Sequence, residues 1–119
     1  MTATIWELTQ SALTGLGIPL AAEAYLMETP GGALPDQYIT YQLIDMSPLQ
    51  HADNEETLRD ELVQVTVRSR SGLAGLPDVI GAMTAAGFMF SNGRELEYDP
   101  DGRHFGIAFD FDYVRDLGS

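Results

Sequence analysis

The chain has 119 residues, 45% of them apolar and 20% charged, a composition that folds into a single soluble domain with one core. Eighteen Asp and Glu face only six basic residues, all arginine, for a formal net charge of −12. That balance excludes a protein that grips nucleic-acid phosphates or docks on an anionic membrane, because both need cations. The absence of Cys excludes disulfides, thiolate zinc sites, iron–sulfur clusters and cysteine nucleophiles.

Residues 4–15 predict a helix. Thr4 with Glu7 three residues on has capping-box spacing, Ile5, Leu8, Ala12 and Leu13 share a face, and Gly15, Gly17 and Pro19 stop the run. Residues 20–28 fit a strand, and TPGGALPDQ (29–37) a loop. Residues 38–46 alternate as a strand, with Ile39, Tyr41 and Leu43 on one side. The polar stretch 47–61 reads as a long hairpin connection with its tip near Asp53-Asn54. Val63, Val65 and Val67 then alternate with Gln64, Thr66, Arg68 and Arg70, the pattern of an antiparallel strand with one wet face.

Residues 72–87 predict a second helix, capped by Ser71, striped by Leu73, Leu76, Val79, Ile80 and Met83, and stopped at Gly87. In the C-terminal third, Phe88–Ser91 and Glu95–Tyr98 flank Asn92-Gly93, a tight-turn dipeptide, and Asp99-Pro100-Asp101-Gly102 marks a second turn. The last strand, 104–115, places Phe105, Ile107, Phe109, Phe111 and Tyr113 on one side and Ala108, Asp110 and Asp112 on the other. The order is α+β: a mainly antiparallel sheet of four to five strands with two helices on one face, spanning residues 1–119 as one domain.

Catalytic signatures are absent. No phosphate-binding loop, dinucleotide fingerprint, nucleophile elbow or zinc-protease motif occurs, and Gly15-x-Gly17 follows a helix where a fingerprint needs a strand. Asp99-x-Asp101 opens like a calcium loop, but Arg103 and His104 stand where a ligand and a glycine are required. The acidic run Asp53, Glu55, Glu56, Asp60 and Glu61 near His51 reads as solvated charge rather than a metal site. Asp110 and Asp112, about 7 Å apart on one strand face, suit cross-strand pairing with Arg68 and Arg70 better than acid–base catalysis.

The elements follow one another in a recognisable order. A helix from Thr4 leads to a strand near Ala21–Glu28, a Pro-containing loop, the aromatic strand Tyr38–Met46, and a long polar β-connection into Val63–Arg70. Then come Ser71-Gly72-Leu73 with Leu76-Pro77-Asp78-Val79-Ile80, Gly87-Phe88, Glu97-Tyr98-Asp99-Pro100-Asp101-Gly102, and the alternating strand 105–113. In this order and spacing, over residues 4 to 116, the chain resembles the tail terminator proteins of tailed bacteriophages and prophages, also called tail completion or tail-to-head joining proteins.

The resemblance implies a non-enzymatic structural protein with no cofactor, assembled in the bacterial host cytoplasm and located in the virion tail. It implies a ring, in that family a hexamer, that ends tube polymerisation. The implied partners are further copies of the chain, the tail tube protein and a head completion or connector protein. Its acidity suits a channel through which DNA slides without sticking. Candidate intersubunit or partner contacts are Arg68 and Arg70, whose guanidinium forks suit carboxylates, together with Asp53, Glu55, Glu56, Asp110 and Asp112. Three alternatives stay open: another head–tail connector factor, a small acidic protein-binding module outside the virion, and an enzyme acting through Asp110, Asp112 and His104.

Overall fold

The computed structural model describes residues 4–22, 35–52, 55–72, 75–100 and 103–116, and for 22, 47–52, 55–57 and 116 the backbone alone. The elements are α1 (Ile5–Thr14), β1 (Leu20–Ala22), β2 (Gln37–Ala52), β3 (Glu55–Ser69), α2 (Val79–Ala85), β4 (Met89–Asp99) and β5 (His104–Asp116). They form one sheet in the order β1-β2-β3-β5-β4, in which only the β1–β2 pair is parallel. Both helices pack on the same layer of apolar side chains, so the architecture is α+β with a mainly antiparallel sheet.

The core follows from the alternation. Ile39, Tyr41, Val63, Val65, Val67 and Phe111 are buried on the helix side of the three central strands. Their register rows, Ile39–Val67–Ile107, Tyr41–Val65–Phe109 and Leu43–Val63–Phe111, stack the apolar sets of β2, β3 and β5 opposite one another. A one-residue slip would turn every one of them outward.

Helix α1 covers this layer with Ile5, Thr9 and Leu13, one residue per turn. The buried Thr9 hydroxyl donates to the Ile5 carbonyl at 2.7 Å, so it carries no unpaired group into the core. The capping box is present: the Thr4 hydroxyl accepts from the Glu7 N–H and the Glu7 carboxylate accepts from the Thr4 N–H. The Thr4 N–H that donates to the Glu7 carboxylate, and after it the Thr4 hydroxyl, hold that carboxyl below its ordinary range.

Three expectations need correction. The 47–61 stretch is not an open connection, because β2 and β3 pair down to Ala52–Glu55. Register shifts after Leu43, Pro48 and Gln50 accommodate its irregular text, Pro48 included. The expected tip, Asp53-Asn54, lies outside the described residues, as do 23–28 of the first strand.

The second helix does not begin at residue 72. Gly72 and Gly75 take left-handed φ values of 89° and 72°, which break a helix, and Asp78 is the N-cap, accepting from the Gly81 N–H at 2.9 Å. Pro77 therefore precedes the helix, Ser71 is not its cap, and Leu73 lies outside the described residues. Of the remaining stripe, Val79 and Met83 are buried and Ile80 is exposed.

Asn92-Gly93 makes no turn. Both residues run inside β4, opposite Asp110 and Phe109, with a bulge between Phe90 and Asn92. The long aromatic row of β5 needs a partner strand, and that tertiary pairing overrides the local turn preference. Asp99 pairs with His104 at the start of β5, and Asp101 and Gly102 of the expected second turn lie outside the described residues.

The molecule is long for its size, 54 × 27 × 23 Å. Its radius of gyration is 15.9 Å, against about 13.5 Å for a compact chain of this length. The β2–β3 hairpin is the cause. Among the described residues β5 reaches as far as Leu58, and the rungs His51–Glu56 and Ala52–Glu55 of the hairpin lie further along. Among the described residues no helix is long and apolar enough to cross a membrane.

Candidate assembly surfaces

The open side of the sheet, opposite the helices, carries a polar ladder. Gln42 donates to Gln64 at 3.4 Å, Gln64 donates to Asp110 at 3.3 Å, and Arg94 donates to the other Asp110 oxygen at 3.3 Å. The four side chains thus cross β2, β3, β5 and β4 in sequence. Arg94 is half exposed, so its ion pair contributes a fraction of a kcal/mol to about 1 kcal/mol. The ladder specifies register more than it stabilises.

The predicted cross-strand pairing of Arg68 and Arg70 with Asp110 and Asp112 does not form. Asp110 stands opposite Gln64 and Asp112 opposite Leu62, while Arg68 stands opposite Tyr38 and Gly106. Arg70 instead pairs with Asp36 at 2.8 Å, across the strand ends. The Arg68 side chain lies flat over Gly106, where a Cβ would sit 2.8 Å from its Nη1 and 3.2 Å from its Cζ. A glycine at that rung lets the guanidinium cross the sheet beside Tyr38.

His104 is fully buried at the start of β5. Its Nε2 donates to the Pro35 carbonyl at 2.8 Å, and the Tyr38 ring meets it edge-on with centroids 5.0 Å apart. It pins the strand start. Strand rise places it about 20 Å from Asp110 and about 27 Å from Asp112. The structure does not bring these three residues together as an acid–base set.

Asp112 has a different neighbour. It shares a hydrogen bond with Asp60 across β3 and β5, with Asp45 and Glu61 nearby. Burial first, then the Asp112 charge and that shared hydrogen bond, raises the Asp60 carboxyl above its ordinary range. Asp60 Oδ1 is buried and lacks a hydrogen-bond partner among the described residues. No group of three His, Cys, Asp or Glu among the described residues is arranged to hold a metal ion. Of the other predicted contacts, Glu55 and Glu56 lie on the backbone of the projecting hairpin, and Asp53 lies outside the described residues.

The helix side carries a pocket of about 260 Å³, lined by Thr4, Ile5, Trp6, Met46, Arg59, Glu61 and Arg115. It lies where the first turn of α1 meets the β2–β3–β5 strands. Glu61 and Arg115 form its buried wall. Arg115 Nε donates to Glu61 Oε1 at 2.5 Å, with side-chain exposures of 11% for Arg115 and 4% for Glu61. Arg59 stands directly opposite Arg115 in the register. Trp6 and Met46 form the apolar rim, 40% and 42% exposed.

Sequence reasoning missed this site, although one signal was present. Arg59 and Glu61 continue the odd-numbered row of Val63, Val65 and Val67, so two opposite charges sit where the core face runs on. A second apolar patch lies at the β4 edge, where Met89 and Phe90 are 57% and 46% exposed. Phe90 leans on Phe109 and Phe111, and Tyr98 leans on Phe105.

The surface therefore offers a projecting hairpin, a charged pocket with an apolar rim, and an exposed edge strand with aromatic side chains. No known family model matches the chain, and no curated protein matches it in sequence.

Proposed function

We propose that the chain is a structural assembly protein of a tailed phage or prophage, a ring subunit that caps the tail tube, ends its polymerisation and presents the surface for head joining. The observation that supports this reading best is the shape. One hairpin runs the length of the molecule and past the end of the third strand, so each subunit carries a protrusion unlike its other surfaces. Unlike surfaces that fit one another build head-to-tail contacts, and these close into rings.

Other features agree with it. The β4 edge and the Trp6–Met46 rim expose apolar side chains that a neighbour would cover. A charge of −12 per subunit repels DNA and keeps a channel from holding it. On this reading the protein has no catalytic residue and no cofactor. Its partners are other copies, the tube protein and a head connector, and its place is the virion tail after assembly in the host cytoplasm.

The test is to mix the purified protein with polymerising tail-tube subunits and image the products by electron microscopy. Tubes of limited length with a ring at one end are expected. Unaltered tubes with no added density, under conditions where tubes grow well, overturn the reading in favour of a portal-side factor or a binding module outside the virion.

A further inference from the structure

We infer that the β4 edge takes an extended, basic strand from a partner protein, which continues the sheet beyond β4 and sets cationic side chains against Glu95 and Glu97. The inference does not rest on the ring reading, because it concerns one edge of the sheet in a single copy of the chain.

Among the described residues β4 closes the sheet order, with β5 on its one side. Every residue from Met89 to Glu95 is exposed, Gly93 among them. Gly93 has no side chain, so its exposure is that of the backbone. An edge strand turns alternate N–H and C=O groups outward, where water satisfies them until another strand pairs with them. Strand addition replaces that water with ladder bonds, and the side chains beside the ladder choose the partner.

Here those side chains are apolar and acidic. Gly93 and Glu95 stand opposite Phe109 and Ile107, so both lie on the helix side of the sheet. The Phe90 ring reaches over Gly93, where a Cβ would lie 3.4 Å from Phe90 Cζ. An apolar residue set opposite Gly93 meets that ring, the arrangement that compensates an edge glycine. The next residue on the same face, about 7 Å along the incoming strand, stands opposite Glu95. Glu97 follows two positions on. Glu95 and Glu97 are exposed, and among the described residues neither enters an ion pair or a side-chain hydrogen bond. Arg94, the one cation of β4, is already engaged by Asp110. Charge also decides against a second copy. Two β4 edges side by side would bring four of these carboxylates to one seam with both arginines engaged, and like charges across paired strands repel. A strand with lysine or arginine at alternate positions meets no such repulsion, and the acidic chain as a whole attracts it. An edge built only to repel other strands would not also expose Met89, Phe90 and Tyr98.

The test titrates isotope-labelled protein with a synthetic peptide of the pattern Lys-Thr-Lys-Thr-Val-Thr-Val and follows amide chemical shifts and hydrogen exchange. Shifts centred on β4 and slowed exchange of its outward amides are expected. Binding should weaken about fivefold in Glu95→Gln/Glu97→Gln, whose two substitutions lie at exposed positions. The unchanged spectrum of the remaining amides checks that this variant is folded. The same peptide with glutamate in place of lysine should not bind. Shifts that spread over the acidic surface and spare β4, equal affinity in the double variant, or equal binding of the glutamate peptide overturn the inference. No binding up to the solubility limit of the peptide overturns it as well. Protection of β4 amides that rises with protein concentration in the absence of peptide gives the edge to a second copy, and so overturns it too. Tube capping is a separate measurement, and its outcome decides the ring alone.

Discussion

Glu61→Gln removes one half of the ion pair that walls the pocket and leaves Arg115 charged in a site where its side chain is 11% exposed. The wild-type pair is close, with Nε and Oε1 2.5 Å apart and both groups nearly out of water. Breaking such a pair from one side costs about 3–5 kcal/mol, because the remaining charge stays desolvated. For a chain of this length the unfolding entropy is about 0.25 kcal/mol/K, so the midpoint should fall by about 12–20 °C. The double variant Glu61→Leu/Arg115→Met removes both charges and fills the space with apolar atoms. It should recover most of the loss, with a stability within about 1 kcal/mol of wild type or above it. Thermal and urea unfolding followed by far-ultraviolet circular dichroism measure both. A loss below about 1 kcal/mol in Glu61→Gln would refute the reasoning, since that is the value of an ion pair screened by water.

Three further outcomes are expected. Phe111→Ala empties the centre of the helix-side layer, where Phe111 is fully buried, and should cost about 3–5 kcal/mol in urea unfolding. Thr4→Ala removes the hydroxyl that caps α1 and should cost about 1 kcal/mol, read by the same method. Asp60→Asn tests the raised carboxyl of the Asp60–Asp112 pair. A raised folded-state value means that Asp60 contributes stability when protonated, below its unfolded value, and loses that contribution as pH rises through the folded value. The midpoint difference between Asp60→Asn and wild type should therefore be largest, in favour of the variant, at neutral pH, and should shrink as pH falls into the carboxylate range. A difference that does not vary with pH would remove the argument.

Much of the fold was legible because periodicity and capping act locally. The Thr4–Glu7 box, the 63–67 valine alternation and the aromatic row of the last strand each have one simple solution, and all three are present. The misreadings lie where a distant partner decides. Asn92-Gly93 prefers a turn in isolation, yet β5 offers eleven residues of β4 a strand to pair with. Residues 47–61 look like a connection because their side chains are polar, while the backbone still finds rungs across the hairpin. The 70–78 stretch has apolar spacing that suits a helix, but its two left-handed glycines stop one.

The candidate site was less legible for a related reason. Residue spacing shows which side chains share a strand face, but not which strand lies next to it. Arg68 and Asp110 were matched by charge, whereas the register sets Arg68 against Gly106 and gives Asp110 to Arg94 and Gln64. The pocket draws on α1, β2, β3 and β5 together, four elements whose meeting no local pattern announces.

The sheet order also sets how the chain must fold. Beside the short parallel β1, the sheet consists of two hairpins, β2–β3 and β4–β5, joined along a β3–β5 seam whose partners lie 36 to 58 positions apart in sequence. Local hairpins close quickly and long-range pairing waits on the loop between them. Until the seam forms, the hairpins offer two long unpaired edges rich in valine and phenylalanine. Those edges are the place where premature association between chains would begin, and the excess of negative charge opposes it until the seam is paired.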